Sequence, residues 1–190
     1  MLITDYLFEN VKPIWDAYLE HDFIMDMGNG NLCKDKFKDY LIQDYLYLKE
    51  YAKVYAMALV KCENIEQMKF CQNSINGILE DESATHIWYL KNFGEKIEEL
   101  EDYKIKEANE NYTSYMKSIA LTGDLLDTMV SVLPCAWSYY YIGKKLKETY
   151  KENLEDNFYK SWIESYSCEG YEQVARTSIE FVNTLSENID

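Results

Sequence analysis

Histidine occurs only twice in this chain, proline only twice, and glycine seven times in 190 residues. Two histidines, His21 and His86, leave little for a Cys-His dyad and nothing for the paired Glu-x-x-His motifs with which helical bundles hold two iron ions. Glu82-x-x-x-His86 is an i, i+4 pair of the kind that hydrogen-bonds along or between helices, so no metal site is expected there. Basic charge is also scarce, with 19 Lys and Arg against 34 Asp and Glu and a formal charge of −15. A nucleic-acid backbone or an anionic membrane surface needs clustered Lys and Arg, and both are therefore excluded as expected partners. The five cysteines are odd in number and include no C-x-x-C pair, which argues against a disulfide framework and a zinc knuckle and fits a reducing cytoplasm. No run approaches the roughly 20 apolar residues of a membrane span. The start, Met1-Leu2-Ile3-Thr4-Asp5, has no basic leader region, so the chain is expected to be neither exported nor embedded.

What is abundant is tyrosine, 18 residues of it. Each couples a large apolar ring to a hydroxyl that needs a partner when buried. Such rings either fill space between helices or line a pocket for a flat, heteroatom-bearing ligand. Apolar residues recur mostly at helical spacing and no strand pattern competes, so the expectation is an all-α, single-domain helical bundle over residues 1–190. The spacing predicts a first helix from about Thr4 to Met25 with Pro13 inside it, followed by turn chemistry at Met27-Gly28-Asn29-Gly30-Asn31. A second runs from about Lys34 to Val60, and a third from about Asn64 to Asn92 with an interruption at Asn76-Gly77. Further helices are expected over about 106–120, 124–150, 154–166 and 171–186. The acidic cluster Glu98-Glu99-Leu100-Glu101-Asp102 reads as solvated surface.

Two constellations stand out. On the second helix, Asp44 lies one turn from Tyr40 and from Tyr47 in a face otherwise apolar or aromatic. A carboxylate there needs hydrogen-bond partners, and two readings are open: it pairs with a neighbouring basic group, or it receives the amidine-like edge of a ligand such as an aminopyrimidine. In Leu133-Pro134-Cys135-Ala136-Trp137-Ser138-Tyr139, a thiol sits beside a proline that should bend the helix. Tyr139 is at the i, i+4 step from Cys135 and could exchange a proton with it. Cys135 is thus either a small core residue or a nucleophile. The other four cysteines read as packing or surface thiols.

In combination, Gln43-Asp44-Tyr45-Leu46-Tyr47-Leu48, Leu133-Pro134-Cys135-Ala136-Trp137 and Trp162-Ile163-x-x-Tyr166 resemble the TenA/thiaminase II family, over roughly residues 4 to 186. The resemblance implies a haem-oxygenase-like helical fold without haem or another cofactor, a cytoplasmic homotetramer, and hydrolysis that releases 4-amino-5-hydroxymethyl-2-methylpyrimidine from aminomethylpyrimidine or thiamin. It also implies that Cys135 is the nucleophile and that Asp44 holds the pyrimidine's amino group and ring nitrogen. Tyr47 would stack on the pyrimidine, while Tyr112, Tyr139 and Tyr166 would line the pocket and bond the thiol or substrate. Members of the family end with a further helix bearing a pattern like Glu-x-x-Phe-Trp, and its glutamate moves protons. No such segment precedes Asp190, so the expectation is a truncated or divergent member or one in which another acid takes that role, with a non-catalytic pyrimidine- or thiamin-product-binding or regulatory protein of the same fold as the alternative.

Overall fold

Seven positions of the long helix α3 (Lys34–Leu59) explain half of the architecture: Phe37, Leu41, Asp44, Leu48, Tyr51, Tyr55 and Ala58 are all buried. Their steps of three and four put them on one face, and a helix with such a stripe must bury it against other elements. The computed structural model describes residues 1–187, without the side chains of residues 81–83, so the Glu82–His86 pairing lies outside the described residues. Its Cα packing resolves into two compact units, Cys33–Val132 and Met1–Leu32 with Leu133 onward.

In the Cys33–Val132 unit, α3 packs against α4 (Ile65–Asn76), α5 (Ser83–Asn92) and α6 (Glu107–Thr122). Asn64 starts α4 by accepting the Gln67 N–H at 3.0 Å. The interruption expected at Asn76-Gly77 is not a break but a π-helical turn over Gly77–Glu82 that hands the chain directly to α5. Gly94 then ends the run with φ 83°, a left-handed conformation that favours glycine. The acidic cluster forms a 3-10 turn, Ile97–Asp102, and is not all surface, because Leu100 is fully buried. Asp124 starts α7 (Leu125–Thr149) by accepting the Asp127 N–H at 2.8 Å while the Asp127 carboxylate accepts the Asp124 N–H at 3.0 Å. The helix runs on through Pro134, contributing residues up to 132 to this unit and from 133 to the other.

The second unit combines that part of α7 with α1 (Ile3–Leu19), α2 (Asp22–Asn29), α8 (Lys160–Ser167) and α9 (Glu169–Ser186). The single helix expected from Thr4 to Met25 is in fact two. The Glu20 N–H closes α1 on the Ala17 carbonyl and the His21 N–H on that of Tyr18, each at 3.2 Å, and His21 opens α2 by accepting the Phe23 N–H on Nδ1 at 3.1 Å. Met27–Asn29 consequently finish α2, and the turn is confined to Gly30, at φ 76°. Pro13 stays inside α1, where its position and that of Glu9, whose carbonyl it leaves without a helical donor, are exposed to water. Phe8, Trp15, Trp137 and Tyr141 form one aromatic cluster, with Phe8 and Trp137 stacked at 5.3 Å. Tyr141 donates to Asp16 Oδ1 at 2.5 Å, and burial together with that carboxylate pushes its phenol up to about 12.

The helix expected from Leu154 begins only at Lys160. Buried Asn157 accounts for the delay: its Nδ2 donates to the carbonyls of Met27 and Gly28, each at 2.9 Å, and its Oδ1 accepts the Tyr159 N–H at 2.8 Å. The Tyr159 hydroxyl also donates to the Leu32 carbonyl, which ties the same segment to the end of α2. At the other end, Cys168 caps α9, its sulfur accepting the Tyr171 N–H at 3.4 Å.

Candidate active site

The residues singled out in the sequence fall into two groups, Asp44, Tyr47 and Tyr112 in the Cys33–Val132 unit and Cys135, Tyr139 and Tyr166 in the other. Asp44 is 8% exposed. At its Oδ2 the Tyr40 hydroxyl, one turn earlier on α3, donates at 3.3 Å, and His86 Nε2 from α5 lies at 3.2 Å. His86 is completely buried, and that burial pushes its imidazole below the ordinary range while the Asp44 charge pulls the other way. The net lowering keeps the ring neutral at physiological pH, so Nε2 carries the proton and donates it to the carboxylate. Tyr40 and His86 therefore both meet Asp44 as neutral donors.

Beyond Asp44, α3 carries a series of tyrosines. Tyr47 and Tyr51 have ring centroids 5.2 Å apart and planes 23° apart, and Tyr51 meets Tyr55 edge to face at 5.2 Å. Tyr112, reaching in from α6, lies nearly parallel to Tyr47, with centroids 5.8 Å and planes 6° apart. Tyr47 and Tyr112 thus share one aromatic patch. The Tyr51 hydroxyl donates to the Val132 carbonyl at 3.0 Å. An open groove elsewhere in this unit is lined by Lys49, Glu50, Glu101 and Lys117, which are paired with one another, Lys117 to Glu50 at 2.6 Å and Lys49 to Glu101.

In the other unit, Cys135 is buried, one helical turn before Tyr139 on α7. Tyr139 and Tyr166 meet at 4.7 Å, Trp162 lies 4.7 Å from Tyr166 and 6.0 Å from Tyr139, and Tyr171 closes on Tyr166 at 4.8 Å. Gly143 permits this approach: a Cβ built there would stand 2.8 Å from Tyr166 Cβ and 2.9 Å from its carbonyl carbon. Only a residue without a side chain lets α7 run that close to α8. Gly143 is not among the residues that the sequence pattern singles out. His86 pairs in sequence with Glu82 on its own helix, whereas the structure brings it to Asp44. The available signals were an isolated glycine inside a helical pattern, and a histidine on a helix that must pack against a face holding a carboxylate.

Comparison with known proteins shows which family the chain falls in. An Aminopyrimidine aminohydrolase of Helicobacter pylori is 35% identical over 186 residues, covering 98% of this chain and 85% of that protein. One from Halalkalibacterium halodurans is 37% identical over 184 residues, covering 96% and 81%. Among solved structures, a TenA family transcription regulator from a Silicibacter species superposes with a TM-score of 0.87 at 28% identity, over 98% of this chain and 81% of that one. The family model TENA/THI-4/PQQC matches residues 8–190. On the strength of that match and of the two enzymes, this all-helical chain belongs to the TENA/THI-4/PQQC family.

Proposed function

We propose that this chain is an aminopyrimidine aminohydrolase of thiamin salvage, converting aminomethylpyrimidine and water to 4-amino-5-hydroxymethyl-2-methylpyrimidine and ammonia, with Cys135 as the nucleophile. The similarity to two enzymes of that name supports the reaction class. The observation that carries the reading is Asp44, a buried carboxylate in an aromatic face that accepts from the neutral donors Tyr40 and His86. The oxygens of such a carboxylate match the N–H and protonated ring nitrogen of an amidine-like edge.

In this reaction the Cys135 sulfur adds to the ring carbon adjacent to the substituted position, and the electrons released expel the 5-aminomethyl nitrogen as ammonia. Water adds to the exocyclic carbon left behind, and loss of the sulfur restores the aromatic ring and the thiol. Asp44 gains most where the ring nitrogen gains proton character, which is during the addition, so its interaction is stronger in the transition state than in the bound substrate. Tyr139 exchanges the thiol proton, and Tyr47, Tyr112 and Tyr166 pack the flat ring. Thiamin, with its thiazolium as leaving group, undergoes the same sequence of steps.

Ammonia release from aminomethylpyrimidine tests this directly. Cys135→Ala should abolish ammonia release while the product pyrimidine still raises the melting temperature, because a ligand that prefers the folded state must stabilise it. Undiminished turnover in Cys135→Ala would remove the cysteine from the chemistry. Binding by the unaltered chain with no ammonia would mark a pyrimidine-binding protein instead of an enzyme.

A further inference from the structure

The sulfurs of Cys62 and Cys71 lie 3.7 Å apart within the Cys33–Val132 unit. Cys71 is completely buried in α4, while Cys62 is partly exposed on the linker between α3, which ends at Leu59, and α4, which begins at Ile65. We propose that this pair is an oxidisable dithiol, which a hydroperoxide converts to a Cys62–Cys71 disulfide. The proposal stands apart from the pyrimidine chemistry and uses none of its residues.

The sulfur separation is within reach of such a bond. A disulfide needs its sulfurs about 2.05 Å apart, so the pair must close by about 1.6 Å from its present 3.7 Å. The more mobile partner is on the right side of the pair. Cys62 lies outside both helices, and its own N–H reaches the Leu59 carbonyl at a long 3.3 Å. The Sγ–H contact it would give up, to the Ala58 carbonyl at 3.5 Å, is weak. Cys71, by contrast, is fixed in the second turn of α4, next to Phe70, whose ring meets Tyr55 at 6.4 Å. One sulfur moves to the other without disturbing a helix.

Exposure orders the two steps. A peroxide reaches Cys62 first; its thiolate attacks one peroxide oxygen and expels hydroxide, leaving a sulfenic acid. The Cys71 sulfur then attacks the Cys62 sulfur, and the sulfenic hydroxyl departs with the Cys71 proton as water. In sum, two thiols and one hydrogen peroxide give one disulfide and two waters, the sulfurs losing the two electrons that the peroxide gains. Burial raises both thiols, Cys71 to about 12, so the reaction is slow at neutral pH and quickens as pH rises.

The test treats the intact protein with hydrogen peroxide, blocks remaining thiols with N-ethylmaleimide in guanidinium chloride, and digests with trypsin without reduction. Cleavage after Lys61, Lys69 and Lys91 places the two cysteines on separate peptides, residues 62–69 and 70–91. The expected product is these two peptides linked, lighter than their sum by two hydrogens and separated by dithiothreitol. In Cys62→Ser, the 70–91 peptide should stay fully alkylatable at the same peroxide dose. In Cys71→Ser, Cys62 should proceed to sulfinic acid; Cys62→Ser, at a partly exposed linker position, keeps the test usable if the buried substitution prevents folding. The proposal is overturned if the unaltered protein gives Cys62 sulfinic acid without the linked peptides, or if Cys71 loses its thiol equally in Cys62→Ser.

Discussion

Replacing His86 with leucine tests the hydrogen bond that sets the state of Asp44. The imidazole is fully buried and its Nε2 lies 3.2 Å from Asp44 Oδ2, while leucine occupies a comparable volume but donates nothing. Hydrogen bonds to charged groups contribute about 1.5–3 kcal/mol, so the variant should lose about 2 kcal/mol near neutral pH, or roughly 4–8 °C in Tm for a chain of this size. The pH dependence offers a second, independent reading. Because burial lowers the folded pKa of His86, the unfolded chain binds the extra proton first as pH falls. The stabilising effect of the neutral ring is thus complete above the unfolded value and is lost on the acid side. With an unfolded pKa of about 6.5, that loss reaches up to about 1.4 kcal/mol between about pH 7.5 and pH 5.5 if the folded ring stays neutral throughout. Urea titrations of both proteins across this range should show the acid-side slope changed in His86→Leu, since groups that do not contact His86 cancel in the difference. The double variant Asp44→Leu/His86→Leu should recover part of the loss, because no carboxylate is then left underdonated. Additive single and double losses, or an unchanged acid-side slope, would falsify the coupling.

Gly143→Ala adds a Cβ within 3 Å of Tyr166, where overpacking costs about 1–3 kcal/mol against a gain of about 1 kcal/mol in helix propensity. Stability should stay level or fall by up to about 2 kcal/mol, with altered near-UV circular dichroism from Tyr139, Trp162 and Tyr166; a clean gain of about 1 kcal/mol would show that the helices are not in tight contact there. Asn157→Ala removes three hydrogen bonds of 2.8–2.9 Å to buried backbone groups and should lower urea stability by about 2–4 kcal/mol. Asn157→Asp keeps an acceptor for the Tyr159 N–H but sets a carboxylate oxygen against the Met27 and Gly28 carbonyls, so it should not restore the stability, and equal stability of Asn157→Ala and the unaltered protein would refute the anchoring role.

The sequence makes α3 legible almost residue by residue, since steps of three and four from Phe37 to Ala58 leave one buried face. Asp44 is conspicuous in that face for the same reason. Its partner is not, because His86 comes from another helix and only packing brings the two together. The end of α1 is missed because His21 caps α2 through a ring nitrogen, and histidine is not among the usual capping residues. The start of α8 is displaced for a tertiary reason, the bonds from Asn157 to carbonyls about 130 residues earlier, which no local pattern contains. The thiol pair escapes for a different reason: Cys62 and Cys71 are nine positions apart, a spacing with no motif, and they meet only because the chain reverses between α3 and α4.

The π-helical turn at Gly77–Glu82 acts as a phase adjuster for the helix that follows it. Successive α-helical residues advance by about 100°, so a one-residue insertion or deletion in this turn would swing everything after it through about that angle. His86, four positions beyond Glu82, would then point away from Asp44 even though no residue of the site had been altered. Related chains that keep the histidine–aspartate contact should therefore tolerate changes of residue type along this turn far better than changes in its length.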